Sequence, residues 1–540
     1  MKRSVMISCL LAVVAFASVH GVQIVKTATL TAADSRDSAY LNVRSDLGVI
    51  AAAPHPTASP QQAVVRRYLQ ETIAGMGYQV VEQPFRFTIE SMVNRQKMIY
   101  AELNEYQRQA FDAELTRVGA DSFEKEVRIR SGLLEGDSGQ GVNLIASRRV
   151  PDATATVLFV AHYDSVGTTP GASDNGMAVA SILQLMRETV TGSEAKNNVV
   201  FLFTDGEELG LLGAEHYVSQ LTAADREAIA LVLNFEARGN QGIPLMFETS
   251  RKDYSLVRTL NAGVRDIVSF SFTPLIYKML QNDTDFTVFR KNNIAGLNFA
   301  VVEGFQHYHR MSDTAETLAP ETLFRYQKTV REVGDHFIHT SDLSSLSADE
   351  DAIYFPLPGG TLLILPLPAM YGLGVSSFLL CGLWAQRCRT RRKDQDNNTG
   401  LRPIAVTLLG IACAALAIYV PSIAYLIVIP SLFLACAMSL RSFYISYSLL
   451  VLGGYACGIL YAPVVYLVAS GLEMPVIAGG IALIPLCLLA VGLAGVIARS
   501  ASSHLSHQTS NRSARGPTAR WLPASDTRPT ESVAPAARDK

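Results

Sequence analysis

Five side chains of the kinds that bind metal ions occur in a fixed order along the 540-residue chain. They are two histidines and three acids, namely His162, Asp174, Glu208, Glu236 and His309. Most of them stand at or just after a strand-like segment, and zinc accepts both imidazole and carboxylate ligands. The neighbouring acid Glu207 stays available to move protons. This combination predicts a pair of zinc ions in a hydrolytic site.

Each of these residues also has an ordinary structural explanation. His162 could be a satisfied histidine at a strand end, and Asp174 could be a turn residue or a helix N-cap. The adjacent acids Glu207 and Glu208 could open a helix, where negative charge is favourable. Glu236 could form an ion pair with a nearby arginine. The order of all five residues, most of them just after a strand, favours the metal site.

Two further residues bear on how such a site would be arranged. His162 and Asp164 flank one residue at a strand end, so an extended backbone points both side chains to one side. A ligating histidine usually donates its second ring N–H to a carboxylate, and we expect Asp164 to accept it. The two oxygens of Asp174 would let it bridge two cations about 3.5–4 Å apart. His307 rivals His309, because it lies only two residues away.

Helical and strand-like patterns alternate between residues 60 and 340, which predicts an α/β fold with helices around a largely parallel sheet. Ser59 and Pro60 are typical of a helix start. Residues 88–130 fit the alternation least and are predicted to form a helical insertion. Ligands bind beyond the carboxyl ends of strands in such sheets, where several of the candidate residues fall. The predicted strands are 78–82, 143–146, 157–161, 199–204, 231–235 and 297–300.

Composition excludes several other classes of protein. The formal net charge is −2, and the sequence shows no basic stripe with interleaved aromatic residues, so a nucleic-acid partner is not expected. Seven cysteines occur, none of them between residues 27 and 350. This region therefore has neither a disulfide framework nor a cysteine-based zinc site.

Apolar residues are concentrated at the two ends of the chain. Residues 1–22 combine a basic start with an apolar run, which is typical of a signal peptide or an uncleaved anchor. The poor cleavage site at 19–21 favours the anchor. A membrane domain of about five helices is predicted over 361–498, since its apolar runs have about the 20 residues that cross a bilayer. The predicted spans are 365–386, 403–421, 422–440, 443–469 and 475–498.

Charged residues at the span ends predict the orientation in the membrane. Five basic residues follow the first of these spans between 387 and 393, and Arg441 follows the third. Under the positive-inside rule these loops are cytoplasmic, so the domain at 27–350 and the connection at 470–475 lie outside. Residues 499–540 are rich in Ser, Pro, Ala, Arg and Thr, which predicts a disordered cytoplasmic tail.

Five motifs surround the candidate ligands: AHYDSVGTTPGASDNGMAVASIL, FLFTDGEELGLLGAEHY, NFEARG, NDTDFTVFR and YHRMSDT. Together they resemble the di-zinc aminopeptidases of peptidase family M28, over roughly residues 45–340. A peptidase domain between an N-terminal anchor and a multi-span C-terminal part is most similar to the endoplasmic-reticulum and fungal vacuolar membrane metallopeptidases.

The resemblance implies an α/β sandwich with a mixed central sheet and two zinc ions per chain. One ion would be held by His162, Asp174 and Glu236, and the other by Asp174, Glu208 and His309. Asp174 would then bridge the two ions, and Glu207 would be the general base.

The chain departs from the common pattern of that family in two places. Glu236 stands where many soluble members have Asp, and the membrane branch often carries Glu there. Arg310 stands where Thr is common, which bears on the pocket wall and not on the ligands. Asp313 matches the family's Asp-Thr pair, and the resemblance implies that it orients its loop.

The expected reaction is hydrolysis of a peptide substrate, with an aminopeptidase as the leading activity. A free α-amine would bind one zinc ion and a nearby acid, Asp283 or Asp285. A carboxypeptidase would instead need a cation for the terminal carboxylate, and Arg238, Arg290 or Arg310 could supply it. Two further hypotheses are a glutaminyl-cyclase-like transferase, which uses one metal, and a non-catalytic receptor or scaffold on the same fold.

Overall fold

A mixed sheet of eight strands forms the centre of the predicted α/β domain. The computed structural model describes residues 2–26, 28–153, 155–191, 195–277, 283–343, 346, 350–392, 401–440, 443–471 and 478–494. The strands are β1 (Val80–Thr88), β2 (Ser138–Arg148), β3 (Thr156–His162), β4 (Asn198–Thr204), β5 (Ile229–Ala237), β6 (Leu245–Thr249), β7 (Val268–Ser269) and β8 (Gly296–Val301). Their order across the sheet is β1-β2-β4-β3-β5-β8-β6-β7.

The direction of the strands differs between the centre and the edges of this sheet. Neighbouring strands are parallel from β4 through β3 and β5 to β8, and also between β6 and β7. They are antiparallel in the β1–β2, β2–β4 and β6–β8 pairs. The α/β fold with a mixed central sheet is therefore confirmed. The prediction of a largely parallel sheet holds only for the central strands.

Helices lie on both faces of the sheet and continue into the apolar C-terminal region. Those before β8 are α1 (Lys2–Val25), α2 (Ser38–Ile50), α3 (Pro60–Gly75), α4 (Ile89–Glu102), α5 (Glu105–Arg117), α6 (Phe123–Ser131), α7 (Met177–Thr191), α8 (Leu212–Gln220), α9 (Ala223–Ala228), α10 (Tyr254–Gly263), α11 (Thr273–Tyr277) and α12 (Asp285–Lys291). Those after it are α13 (Pro320–His339), α14 (Leu367–Arg392), α15 (Leu401–Tyr419), α16 (Pro421–Ser439), α17 (Phe443–Tyr466) and α18 (Ala478–Ala494).

The central strand β3 is buried along its whole length, because helices cover both faces of the sheet. On one face Phe159 stacks on Phe201 of β4, with ring centroids 5.2 Å apart, and packs in the same core as α7 and α13. On the other face Leu158 and Val160 pack with Phe286 of α12. This burial explains the continuous apolar run in β3. It also holds the carboxyl end of β3 in a fixed position.

Sequence patterns predicted the central strands and missed parts of the edges. The predicted strand 78–82 stops before Pro84, whereas β1 continues to Thr88. Pro84 is tolerated because β1 lies at the edge of the sheet, where a missing N–H leaves no ladder position empty. Strands β6 and β7 were not predicted, since five and two residues are too few to show a clear period. The segment 88–130 is helical as predicted, and α3 starts as expected with the Ser59 hydroxyl accepting from the Gln62 N–H at 3.1 Å.

A β-hairpin that was not predicted joins the α/β domain to the membrane-type helices. It consists of β9 (Ala352–Leu357) and β10 (Thr361–Pro366), which pair antiparallel. Residues 361–366, predicted to begin the membrane domain, therefore belong to a strand, and the helix α14 starts at Leu367. Phe355 of the hairpin stacks on Tyr425 of α16, with ring centroids 4.7 Å apart. The apolar composition of the hairpin reflects this position between two parts of the molecule.

Within the described residues, four helices are long and apolar enough to cross a membrane: 5–25, 367–387, 421–439 and 444–469. The apolar helices 404–419 and 478–494 are shorter. Each of the six predicted crossings thus corresponds to an apolar helix, and the tight connection between the second and third predicted spans is present at Val420. Arg441, Lys393, most of the connection at 470–475 and the tail at 499–540 lie outside the described residues.

The α/β domain contacts one end of this helix group. The Ser271 hydroxyl donates to the carbonyl of Ser422 at 2.9 Å, and the Tyr466 hydroxyl donates to Glu303 at 3.1 Å. A single apolar cluster joins the two parts, since it contains Phe247 of the α/β domain together with residues of the helices.

Helix α1 packs closely against α17. A Cβ atom added at Gly458 would lie 2.5 Å from the Cβ of Ala17, and one added at Gly21 would lie 2.8 Å from the Gly458 carbonyl oxygen. Small residues four apart on both helices allow this approach: Gly454 and Gly458 on α17, and Ala17 and Gly21 on α1. Helix α1 is thus an integral part of the helix group.

Candidate metal centre

The five predicted ligands converge at the carboxyl ends of the parallel strands. His162 is the last residue of β3, Glu236 lies near the end of β5, and Glu208 follows β4. Asp174 lies in the turn before α7, and His309 lies in the loop after β8, in the left-handed region with a φ of 56°. All five are buried, with exposed fractions between 1% and 6%.

Asp174 stands at the centre of the cluster, with one pair of side chains at each of its oxygens. Its Oδ1 lies 3.2 Å from His162 Nε2, which in turn lies 3.5 Å from Glu236 Oε2. Its Oδ2 lies 3.2 Å from His309 Nε2, which in turn lies 3.2 Å from Glu208 Oε2. The cluster is therefore divided into two groups that share one carboxylate.

The donor set fits metal ions on both chemical and electrostatic grounds. His162, Asp174 and Glu208 each offer one ligand atom within 4.8 Å of the others. Burial raises the pKa of Glu236, and burial together with neighbouring carboxylates raises the pKa of Glu207 well above its usual range. Burial lowers the pKa of His162, but the charges of Glu236 and Glu207 outweigh it and raise that pKa well above 6.5. Buried acids at this density need compensating cations, which divalent metal ions supply.

Asp174 differs from Glu207 and Glu236 in the direction of its pKa shift. Burial raises the pKa of Asp174, but its hydrogen bonds to His162 and His309 and their charges outweigh this effect and lower the pKa. Of Asp174, Glu207 and Glu236, Asp174 is therefore the acid that its surroundings hold in the ionised form.

Asp164 holds a different position from the predicted one. The nearest acceptor for His162 Nδ1 is the backbone carbonyl of Asp164 at 2.9 Å, and the carboxylate Oδ1 lies farther away at 3.5 Å. The carboxylate instead accepts the backbone N–H groups of Glu207 at 3.2 Å and Glu208 at 3.3 Å. Asp164 thus fixes the tautomer of His162 through its backbone and fixes the Glu207–Glu208 loop through its side chain.

Asp313 fixes the turn that carries Asp174 through its side-chain carboxylate. Its carboxylate accepts the backbone N–H and the hydroxyl of Ser173 at 2.9 and 2.7 Å, and the N–H of Asp174 at 3.2 Å. The expectation that Asp313 orients a loop therefore applies to a turn about 140 residues away in sequence.

The helical insertion contributes two arginines that sequence reasoning missed. Arg117 at the end of α5 donates to the backbone carbonyl of His309 at 2.6 Å. Arg130 in α6 lies between Glu126 and Glu208, with N–O distances of 2.9 and 3.5 Å. Local sequence periodicity does not reveal such long-range contacts. The one available signal was the position of both arginines in the segment 88–130, which fits the α/β alternation poorly.

His307 and Arg238 make other contacts than the ligand and ion-pair roles considered for them. His307 is hydrogen-bonded to Ser312, with Nδ1 3.0 Å from its hydroxyl oxygen. Arg238 does not pair with Glu236 but lies over the rings of Phe305 and Tyr308, at 5.0 and 5.4 Å from their centroids. The ring of Tyr308 stacks in turn on the ring of the predicted ligand His309, with centroids 3.7 Å apart.

The structure also shows which of the residues considered for substrate binding line the pocket. Arg290 is paired with Glu248 at 3.1 Å, and Arg310 is exposed. Asp285 is buried and accepts a hydrogen bond from Thr204, and burial raises its pKa to about 7. Arg238 and Asp283 remain, because both line the pocket that opens beside the metal cluster.

That pocket is lined by both polar and apolar residues. Asp174, Glu207 and Glu236 face it from the metal cluster. The apolar lining includes Phe247 and Phe272 from the α/β domain. A pocket that combines a few convergent polar groups with apolar walls is the usual form of a substrate site.

Comparison with known proteins agrees with the motifs. Residues 143–334 match the profile of Peptidase family M28. Endoplasmic reticulum metallopeptidase 1 of Homo sapiens is 27% identical over 238 residues, which are 43% of this chain and 26% of the human protein. Vacuolar membrane protease of Clavispora lusitaniae is 28% identical over 201 residues, or 36% of this chain and 19% of the fungal protein.

The match thus spans about a quarter of the length of these curated relatives or less. Among solved structures, an aminopeptidase from Aneurinibacillus sp. strain AM-1 aligns over 58% of this chain and 95% of its own, at 15% identity and a TM-score of 0.43. The residues matched by the family profile include all five candidate ligands. Residues 143–334 of this chain are therefore similar in sequence to peptidase family M28.

Proposed function

We propose that this chain is a membrane-anchored metallopeptidase that uses two zinc ions to remove amino-terminal residues from peptides. The observation that carries the proposal is the arrangement around Asp174. Each of its two oxygens lies 3.2 Å from one histidine, and each histidine lies within 3.5 Å of one glutamate. Two cations that share a carboxylate need such an arrangement.

The residues of this chain divide the chemical work between them. Zinc, when bound, lowers the pKa of water and polarises carbonyl groups. Glu207 lines the pocket beside the ligands, so it can take the proton of the attacking water and deliver it to the leaving amine. Asp164 keeps Glu207 in place by accepting its backbone N–H. The apolar walls exclude bulk water, which strengthens each electrostatic contact at the site.

The choice between the two ends of a peptide rests on Asp283 and Arg238. Asp283 is exposed at the pocket and would pair with a substrate ammonium group. Arg238 supports the second candidate, a carboxypeptidase, because its buried Nη1 has no hydrogen-bond acceptor among the described residues. We favour the aminopeptidase, since Asp283 lines the pocket and lies outside the proposed ligand set, so its charge stays available for a substrate ammonium group.

The test compares blocked peptides on the full-length protein in detergent with added zinc. An aminopeptidase cleaves a peptide with a free amino terminus and an amidated carboxyl terminus, and it leaves the N-acetylated peptide intact. We expect Asp283→Asn to raise the KM for free amines, with the matched variant Arg238→Gln changing the KM less. Cleavage of the N-acetylated peptide with a free carboxyl terminus would establish the carboxypeptidase instead. If neither peptide is cleaved, the chain is a non-catalytic member of its family.

We also propose that the α/β domain lies outside the cytoplasm. It contacts one end of the helix group, and the basic residues between 387 and 392 lie at the other end of α14. The positive-inside rule places that end in the cytoplasm. A membrane-impermeant thiol reagent should therefore label Leu134→Cys, at an exposed site of the α/β domain, in intact cells. The reverse result, with labelling of Asn397→Cys alone, would overturn this orientation.

A further inference from the structure

One wall of the pocket beside the metal cluster comes from the membrane-type helix α17 and the turn that follows it. Val464 lies in the last turn of α17, and Leu467 and Val468 lie in the π-helical turn that runs to Gly471. All three line the same pocket as the acids of the metal cluster. The pocket is therefore formed by two parts of the chain that are separated in sequence by the whole interval from Tyr308 to Val464.

The pocket lining combines polar and apolar side chains. The acids and Arg238 belong to the metal cluster and its surroundings, where a peptide terminus and the scissile bond would lie. The α/β domain contributes Leu245, Phe247, Ile276 and Val302 to the same lining as the residues of α17. A substrate whose polar end reaches the metal cluster would place an apolar side chain against these apolar lining residues.

The wall from α17 is held firmly in place. Val464, Leu467 and Val468 are exposed by only 3%, 8% and 4%, and they belong to the apolar cluster that joins the two parts of the molecule. The neighbouring Tyr466 donates a hydrogen bond to Glu303, just after β8. A wall fixed by packing and by a hydrogen bond can discriminate between side chains by size and polarity, because it does not adapt to each substrate.

We propose that residues 464–468 form part of the specificity pocket and select peptides whose terminal residue carries a large apolar side chain. The membrane part is then a determinant of substrate choice as well as an anchor. This inference rests on the proposed peptidase activity. It assigns to Leu467 and Val468 a contact with the substrate side chain, and it assigns them no part in the bond-breaking step.

The experiment measures kcat/KM on the full-length protein for peptides that differ only in the terminal residue: Phe, Leu, Ala, Asp and Lys. We expect the wild type to favour Phe and Leu. Leu467→Ala removes part of the wall, and we expect the kcat/KM for the leucyl peptide to fall about tenfold or more, as for lost methylene contacts in an apolar pocket. The alanyl peptide, which does not reach the wall, should lose little.

Two further variants separate specificity from folding. Leu452→Ala is the matched control on the same helix, because its side chain is 54% exposed and does not line the pocket. Val468→Thr keeps the shape and adds a hydroxyl, so it should lower the preference for apolar over polar terminal residues. Because Val468 is buried, the hydroxyl also lowers stability. Selectivity is therefore read as the ratio of kcat/KM between two peptides, which the fraction of folded protein does not change.

The outcomes distinguish the two claims. Hydrolysis with unchanged selectivity in both Leu467→Ala and Val468→Thr would overturn the inference and leave the peptidase intact. A wild type that prefers Asp or Lys would also overturn it. Failure to cleave any peptide would instead remove the proposed function on which it rests.

Discussion

The carboxylate of Asp164 accepts a hydrogen bond from the backbone N–H of Glu207 across an N–O distance of 3.2 Å, and its second oxygen accepts from the next residue. We expect Asp164→Asn to loosen this loop, because the amide NH₂ of asparagine faces a backbone donor. Activity and zinc affinity should both fall by about 10–100-fold, the usual cost of losing a contact that orients a ligand. Titration with zinc and steady-state kinetics measure the two effects. The exposed Asp335→Asn is the control, and equal behaviour of the two variants would refute the role.

Arg130 of the insertion stabilises the fold through a buried acid. Its partner Glu126 is only 2% exposed, so Arg130→Gln would leave a buried carboxylate without its arginine. We expect a loss of about 3–5 kcal/mol in the free energy of unfolding. Arg128→Gln is the matched control on the same helix, since the partners Glu124 and Asp137 are 59% and 97% exposed, and it should cost less than about 1 kcal/mol. Denaturant unfolding of both variants in detergent tests the difference, and equal losses would contradict it.

The contact between α1 and α17 predicts that α1 is retained in the mature protein. Gly458→Ala would place a methyl group against Ala17 and should destabilise the protein by about 1–3 kcal/mol, as overpacking does. Gly382→Ala is the control in α14, because an added Cβ meets nothing within 4 Å there. The unfolding temperature should fall only in the first variant. Detection of a mature chain that begins after residue 22 would show that this contact is absent from the final protein.

Asp253 makes stability depend on pH. Burial raises its pKa to about 6, against about 3.9 in an unfolded chain. The folded protein therefore holds this proton more tightly, and the stability that protonation contributes is present below about pH 4 and lost as the pH rises to about 6. Asp253→Asn keeps an acceptor for the Ala352 N–H, which lies 2.7 Å from the carboxylate, and removes the ionisation. We expect the unfolding temperature of the variant to gain on that of the wild type between about pH 4 and 7, and parallel curves would be the contrary result.

Features that depend on local pattern could be predicted from the sequence, and features that depend on distant packing could not. The apolar run of β3 predicted a strand covered on both faces, and the position of His162 at its end followed. The edge strand β1 continues past Pro84 because only its inner side must pair, and a local pattern does not show which side that is. Residues 361–366 have a membrane-like composition because the hairpin packs on both sides: Leu362 lies in the core of the α/β domain, and Leu363 packs against the apolar cluster that contains Tyr425.

The candidate site shows the same division. Its five candidate ligands could be named from residue type, strand position and family resemblance, and the structure brings the five side chains together. The contact of Asp164 with the Glu207 backbone could not be predicted, since a side chain has several partners within reach and sequence does not choose between them. The contribution of α17 to the pocket could not be predicted either. Nothing in the local sequence of residues 464–468 indicates a pocket whose other lining residues lie at or before Tyr308 in the chain.

The most direct test of the two-zinc peptidase site is the zinc content of the full-length protein, measured together with peptide hydrolysis, in the wild type and in Glu207→Gln. We expect two zinc ions per chain in both proteins, because Glu207 is not a ligand in the proposed site. Hydrolysis should fall by about 10²–10⁴-fold in the variant, which lacks the general base. A wild type that holds no zinc, or a Glu207→Gln variant that cleaves peptides as fast as the wild type, would contradict the proposed site.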